Sequence, residues 1–186
     1  MTDIADAGRE ETYPGAGGLN IAFRSWRPAT RPRGVVIIVP GFNSHSGYYL
    51  WVANQLVAMD LAVYAVDLRG RGKSDGERFY LDTFYDYLAD VDGDAKIARE
   101  REAGLPVFIL GHSAGGVVAC IYTLEHQAAL AGLICMSFAY QVPAPDFAIA
   151  ALKGLSHLAP HAHVLRLKNE DFSRDPAAVA AMNADP

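Results

Sequence analysis

The 186 residues predict an α/β fold, a mostly parallel sheet with helices on both faces. Two observations carry this. Short apolar runs at 35–39, 107–110 and 133–136, and a similar stretch at 63–67 that ends in Asp67, have the character of strands buried on both faces. Between them lie stretches whose apolar residues recur at helical spacing: Tyr49, Val52, Leu56 and Met59; Phe84, Tyr87, Leu88, Val91, Ala95 and Ala98; Val117, Val118, Ile121 and Leu124. Strand and helix alternating in this rhythm imply right-handed crossovers, which align the strand C-terminal ends along one edge of the sheet. Any chemistry is expected there.

Taken in order, residues 1–12 are polar and read as a loose tail. Gly15-Ala16-Gly17-Gly18 is a turn cluster, and 20–26 alternates like a half-exposed strand with Ile21 and Phe23 on one face. A basic, proline-containing loop at 28–34 leads into Val35-Val36-Ile37-Ile38-Val39. After Tyr140 the rhythm breaks. Pro143 and Pro145 interrupt the chain, 147–158 is a plausible apolar helix, and 165–186 is polar with two Asp-Pro pairs. The expected division is therefore 1–140 as the N-terminal part of the core and 141–186 as the start of a cap insertion.

Bulk properties narrow the function classes. Half of the chain is hydrophobic (51%) and 20% is charged, the profile of a packed globular protein. A net charge of −5 argues against a nucleic-acid partner, which favours a basic face. The N-terminus has no apolar stretch resembling a signal sequence, so a cytoplasmic protein is expected. Cys120 and Cys135 sit in apolar surroundings and read as buried free thiols.

The motif carrying chemistry is Gly111-His112-Ser113-Ala114-Gly115. A buried strand runs directly into it and a helix follows, the context in which Gly-x-Ser-x-Gly forms a nucleophile elbow. Ser113 is the candidate nucleophile, while Gly111 and Gly115 let strand and helix approach closely. Attack on a carbonyl requires donors for the oxyanion: the N–H of Ala114, and the N–H of Phe42 from the loop after the early buried strand, where Gly41 permits the turn. His112 is expected to point away from the serine hydroxyl, and His45 is expected to be structural. Gly72-Lys73-Ser74 resembles a P-loop ending, but Asp67 stands where its first glycine is needed. His157, His161 and His163 lack metal-ligand spacing, so no zinc site is expected.

With these pieces in place, the chain resembles the monoacylglycerol lipase and lysophospholipase branch of the α/β-hydrolases, of the serine aminopeptidase S33 type. The resemblance runs from about Leu19 to Pro186. It rests on Pro40-Gly41 followed by Ser44-His45-Ser46-Gly47-Tyr48-Tyr49, on Asp67-Leu68-Arg69-Gly70-Arg71-Gly72-Lys73-Ser74-Asp75-Gly76, on Leu105-Pro106-Val107-Phe108-Ile109-Leu110 and the elbow, and on Phe172-Ser173-Arg174-Asp175-Pro176 and Asn183-Ala184-Asp185-Pro186. Two positions depart from it: Pro40 stands where the family has histidine, and Ala114 where it has methionine.

The resemblance implies a serine hydrolase acting on carboxylic esters of the monoacylglycerol or lysophospholipid kind, through an acyl-enzyme on Ser113 and without a cofactor. It also implies that on the order of 100 further residues would carry the triad Asp and His, in the chain order Ser, Asp, His. Neither is expected within this chain, whose C-terminal end would then leave the fold incomplete. Asp146 with His157, His161 or His163 satisfies the order formally, but these lie in the cap segment and not in loops after later strands. The resemblance further suggests transient contact of the cap with a membrane surface, and leaves room for a second polypeptide supplying the rest of the fold. Two alternatives stay open: an inactive fragment or non-catalytic scaffold, and an esterase or thioesterase acting on small non-lipid substrates.

Overall fold

The structure, a computed structural model, describes residues 7–141, 144–159, 161 and 168–185. The chain divides into two compact units, Met1–Val142 and Pro143–Pro186.

The first unit is built on a six-stranded sheet in the order β1-β2-β4-β3-β5-β6. Its strands are β1 (Arg9–Pro14), β2 (Asn20–Trp26), β3 (Gly34–Val39), β4 (Leu61–Val66), β5 (Val107–His112) and β6 (Gly132–Met136). From β4 to β6 all pairings are parallel, and β1 and β2 are antiparallel additions at one edge. The helices of this unit are α1 (Leu50–Val57), α2 (Tyr85–Arg101) and α3 (Ala114–Glu125).

Alternation along β3 explains its uninterrupted apolar sequence. Val35, Ile37 and Val39 face a core with Leu88, Val91, Ala95 and Ala98 of α2 and Val118, Ala119 and Tyr122 of α3. Val36 and Ile38 face the opposite core, with Tyr49 and Ala53 on the α1 side. Both faces are covered, so every position along the strand is apolar. The chain leaves β3 toward β4 on one side, and β5 lies on the other. The C-terminal ends of β3 and β5 thus flank a topological switch point, where open α/β sheets hold their ligands.

Residues 9–14 correct the expectation of a loose tail. They form β1, paired antiparallel with β2 from Arg9↔Ser25 to Pro14↔Asn20. Their polar sequence is that of an edge strand, in which Tyr13 alone is buried. Ion pairs also hold it: Arg101 on α2 makes a bidentate contact with Glu11 at 2.6 and 2.9 Å. The cysteines likewise differ from the buried pair expected. Both are free thiols, but Cys120 is half-buried and Cys135 is exposed, because β6 is an edge strand with Ile134 and Met136 also exposed.

The second unit contains α4 (Asp146–Leu158) and α5 (Pro176–Ala184). The polar segment hides α5, whose start is encoded in one of the Asp-Pro pairs. Asp175 caps the helix by accepting from the Ala177 N–H at 2.9 Å, and Pro176 occupies the first turn, where its missing N–H costs nothing. Among the described residues, no helix is long and apolar enough to cross a membrane.

Two buried acids on α2 differ sharply. Asp90 is saturated: Arg69 donates to it from its backbone N–H (3.0 Å), Nε (3.0 Å) and Nη2 (2.8 Å). Asp94, one turn on, is fully buried, and neither carboxyl oxygen has a hydrogen-bond partner among the described residues. Desolvation holds its pKa well above the ordinary carboxyl value, outweighing attraction from Arg101. The folded protein therefore binds a proton here that the unfolded chain releases above a pH of about 4. Stability from this site should fall as pH rises from that point toward the raised folded pKa. Asp94→Asn cannot ionise. It should flatten the decline of the urea midpoint between pH 5 and 8 and raise that midpoint at pH 8.

Candidate active site

The elbow is set by how tightly β3, β5 and α3 approach one another. Ser113 follows β5 at φ 53° and ψ −121°, a conformation L-residues seldom adopt, costing about 1–3 kcal/mol. It is held from both sides. Its N–H donates to the Met136 carbonyl (2.9 Å), and its own carbonyl accepts from Gly116 N–H (2.9 Å) and Ala139 N–H (3.3 Å). The glycines have no room for a side chain. A Cβ on Gly115 would lie 2.2 Å from the Pro40 carbonyl oxygen and 2.3 Å from that of Val39. One on Gly111 would lie 2.6 Å from both Gly115 O and Gly116 Cα. Ala114 is the first residue of α3, so its N–H belongs to the helix-opening donors that lack an intrahelical acceptor.

The loop after β3 closes on the elbow. A Cβ on Gly41 would lie 3.4 Å from Ser113 Cβ and 3.3 Å from the His112 carbonyl oxygen. Phe42, the second expected oxyanion donor, follows a residue whose added Cβ would reach the serine. The structure places Gly41, the residue before Phe42, beside the Ser113–Ala114 turn.

The histidines of the first unit each have a described contact. His112 Nδ1 lies 3.0 Å from the Tyr49 hydroxyl, and desolvation lowers its pKa below the usual imidazole value. His45 caps the short turn Ser46–Tyr49, its Nδ1 accepting from Gly47 N–H at 3.1 Å. His126, on the far end of α3, contacts the Tyr122 carbonyl at 2.9 Å and stacks on the Tyr122 ring. Of the cap-segment residues weighed as triad partners, His157 lies on α4 and His161 in a turn of the second unit, while His163 falls outside the described residues. Asp146 opens α4. Among the described residues no cluster of His, Cys, Asp and Glu could hold a metal ion.

Several supporting residues carry no motif of their own. Tyr49, read from its spacing as a core residue of α1, also accepts from Gly41 N–H through its hydroxyl at 3.2 Å. Asp67, at the end of β4, accepts from Ser46 N–H (2.7 Å) and Lys73 N–H (3.0 Å), tying the loops after β3 and β4 together. The Gly72-Lys73-Ser74 segment is part of that tie. A Cβ on Gly72 would lie 2.3 Å from an Asp67 carboxylate oxygen, which explains its glycine without a phosphate.

The sequence profile of the family described as Hydrolase_4, serine aminopeptidase S33, matches residues 30–186. The chain belongs to the serine aminopeptidase S33 family. Its relatives include a monoacylglycerol lipase from Mycolicibacterium smegmatis, 35% identical over 98% of this chain and 66% of the relative. The human monoglyceride lipase is 32% identical over 92% of this chain and 57% of its own length. Among solved structures, a highly thermostable carboxyl esterase from Bacillus coagulans, in complex with glycerol, matches with a TM-score of 0.80 at 27% identity. That match covers 97% of this chain and 66% of the esterase. The S33 chain thus spans two thirds or less of the length of these relatives, and its fold is that of the α/β-hydrolases.

The glycine contacts make a direct prediction. Gly115→Ala drives a methyl group into two backbone carbonyls and should cost about 3 kcal/mol or more in urea denaturation, or prevent folding. Gly154→Ala on α4, where an added Cβ meets nothing within 4 Å, should be neutral or slightly stabilising.

Proposed function

We propose that this protein is a serine ester hydrolase that works through an acyl-enzyme on Ser113. The observation that carries this reading is the strained Ser113 backbone at the mouth of β5, with Gly41 so near that an added Cβ there would touch the serine's Cβ. A serine in ordinary core packing has no use for that conformation. A nucleophile does, because the turn lifts its hydroxyl out of the sheet and sets it beside two backbone donors.

In the proposed cycle Ser113 Oγ attacks the ester carbonyl, and its proton passes to a histidine base. The N–H groups of Phe42 and Ala114 bind the oxyanion. The alcohol leaves with the proton, and water then releases the acid from the acyl-enzyme. No metal or organic cofactor is needed. Of the first unit's histidines, His45 accepts from the Gly47 N–H, His112 pairs with the Tyr49 hydroxyl and His126 contacts the Tyr122 carbonyl. Following the chain order Ser, Asp, His and the later-strand loops that the resemblance implies, we place the triad Asp and His outside these 186 residues. A second polypeptide or additional chain would supply them. The open edge of β6, with Ile134 and Met136 exposed, supports such an addition.

The relatives and the second unit support a substrate class. The mycobacterial and human relatives are monoacylglycerol and monoglyceride lipases. On α4, Phe147, Leu152 and Leu158 are exposed, a surface suited to an acyl chain or to transient contact with a lipid surface. A monoacylglycerol- or lysophospholipid-like ester is the proposed substrate, handled by a cytoplasmic protein.

A fluorophosphonate probe tests the nucleophile and the base separately. In the protein completed with its Asp and His, labelling should map to Ser113 and disappear in Ser113→Ala, which should also reduce ester turnover by at least about 10⁴-fold. The isolated 186 residues should label slowly, because a serine without a base is a weak nucleophile. Rapid stoichiometric labelling of that chain would place the base within it.

A further inference from the structure

Arg71 is a buried cation that the proposed chemistry has not used. It is only 4% exposed, and its hydrogen bonds among the described residues go to neutral oxygens. Nε donates to the Phe42 carbonyl at 2.6 Å, Nη1 to the Gly70 carbonyl at 3.1 Å, and Nη2 to the Tyr87 hydroxyl at 3.4 Å. Desolvation lowers its pKa, and no carboxylate stands among the groups that shift it. A guanidinium nevertheless remains charged in proteins. Its plane lies over two aromatic rings, 4.0 Å from the Phe79 centroid and 5.0 Å from that of Phe42. These two rings stack on each other with centroids 4.9 Å apart. Phe79 holds a positive φ of 63° to take its place in that stack, a conformation that is strained for a residue with a Cβ.

These contacts converge on the loop that carries the Phe42 N–H. Three successive peptide groups are each tied at one atom. Gly41 N–H donates to the Tyr49 hydroxyl. The Gly41 carbonyl accepts from Ser44 N–H and Ser44 Oγ, both at 3.3 Å. The Phe42 carbonyl accepts from Arg71. The Phe42 N–H shares its peptide plane with the Gly41 carbonyl, and the Arg71 bond holds the next plane, so the backbone on both sides of the Phe42 Cα is tied and that N–H cannot swing freely. Donors that are already aimed need no reorganisation as charge develops on the substrate, and that is the source of their catalytic value.

We propose that Arg71 is a positioning residue of the oxyanion hole, orienting the Phe42 N–H through the Phe42 carbonyl and the Phe42–Phe79 stack. The proposal rests on the nucleophile reading of Ser113. It adds that the loop after β4 controls a donor on the loop after β3. Arg71 does not touch the reacting atoms. Its charge, buried beside the donor and bonded to neutral oxygens, also adds positive potential near the developing oxyanion.

The test uses the full chain, together with whatever polypeptide completes it, and follows fluorophosphonate labelling as separate saturation and inactivation constants. Arg71→Met keeps the length of the side chain but removes the charge and the donor. It should lower the inactivation rate constant by about 10- to 100-fold, less than or comparable to deletion of an oxyanion donor, with the saturation constant within twofold. Arg71→Lys, which can still donate to the Phe42 carbonyl, should recover most of the rate. Phe79→Leu removes the ring beneath the guanidinium at a partly exposed position and should give a smaller, several-fold loss of the same constant. If Arg71→Met does not fold, Phe79→Leu decides.

An unchanged inactivation rate constant in a folded Arg71→Met, or in Phe79→Leu where Arg71→Met is not folded, would overturn the proposal. So would a loss confined to the saturation constant. Failure of the wild type to label at Ser113 would instead remove the functional reading beneath it, and the two outcomes are distinct.

Discussion

The close approach of three backbone segments at Gly115 governs the geometry of this protein's site. There the first turn of α3 lies against the carbonyls of Val39 and Pro40 at the end of β3, with no space for a methyl group. Parallel pairing of β3 with β5, in register from Val35↔Val107 to Val39↔Gly111, delivers both strand ends to the same level. The chain must then turn sharply from β5 into α3 without striking β3. The unusual backbone of Ser113 is the local result of that requirement, and its strain is borne by the packed sheet around it. The position of Ser113 at the C-terminal edge of the sheet is thus a consequence of how the layers fit.

A second layer of interactions surrounds that contact and links loops distant in sequence. Asp67 bridges the β3 and β4 loops through backbone N–H groups, Tyr49 reaches from the first helix to Gly41, and Arg71 spans from the β4 loop to Phe42. Each uses a charged or polar side chain to hold main-chain atoms in place. Loops left to their own propensities would sample many conformations. Such an arrangement suits a site in which backbone amides carry the electrostatic load, since an amide is aimed by holding the backbone on either side of it.

Much of this was legible in the sequence because burial on two faces leaves a direct mark. The run Val35-Val36-Ile37-Ile38-Val39 can be accommodated in few other ways, and β3 appears within one residue of that run. The elbow was legible for a similar reason: two glycines around a serine, after a buried strand and before a helix, meet a steric demand that few other residues satisfy. Three features were not. β1 has the polarity of an edge strand and draws its order from pairing with β2 and from Arg101, a partner ninety positions away. Arg71 and Phe79 sit in a loop whose glycines suggest only turns, and no local pattern announces a guanidinium stacked on rings from two segments. Asp94 falls at a position on α2 where the helical pattern admits any small residue, and its isolation depends on the sheet packed over it.

The central claim is that Ser113, Phe42 and Ala114 form one reacting centre. A crystal structure of the phosphonylated protein tests it most directly. The account predicts a covalent bond from phosphorus to Ser113 Oγ, with the phosphoryl oxygen within about 2.7–3.1 Å of both the Phe42 and Ala114 amide nitrogens. An adduct on another residue, or a phosphoryl oxygen bound away from these two amides, would contradict it.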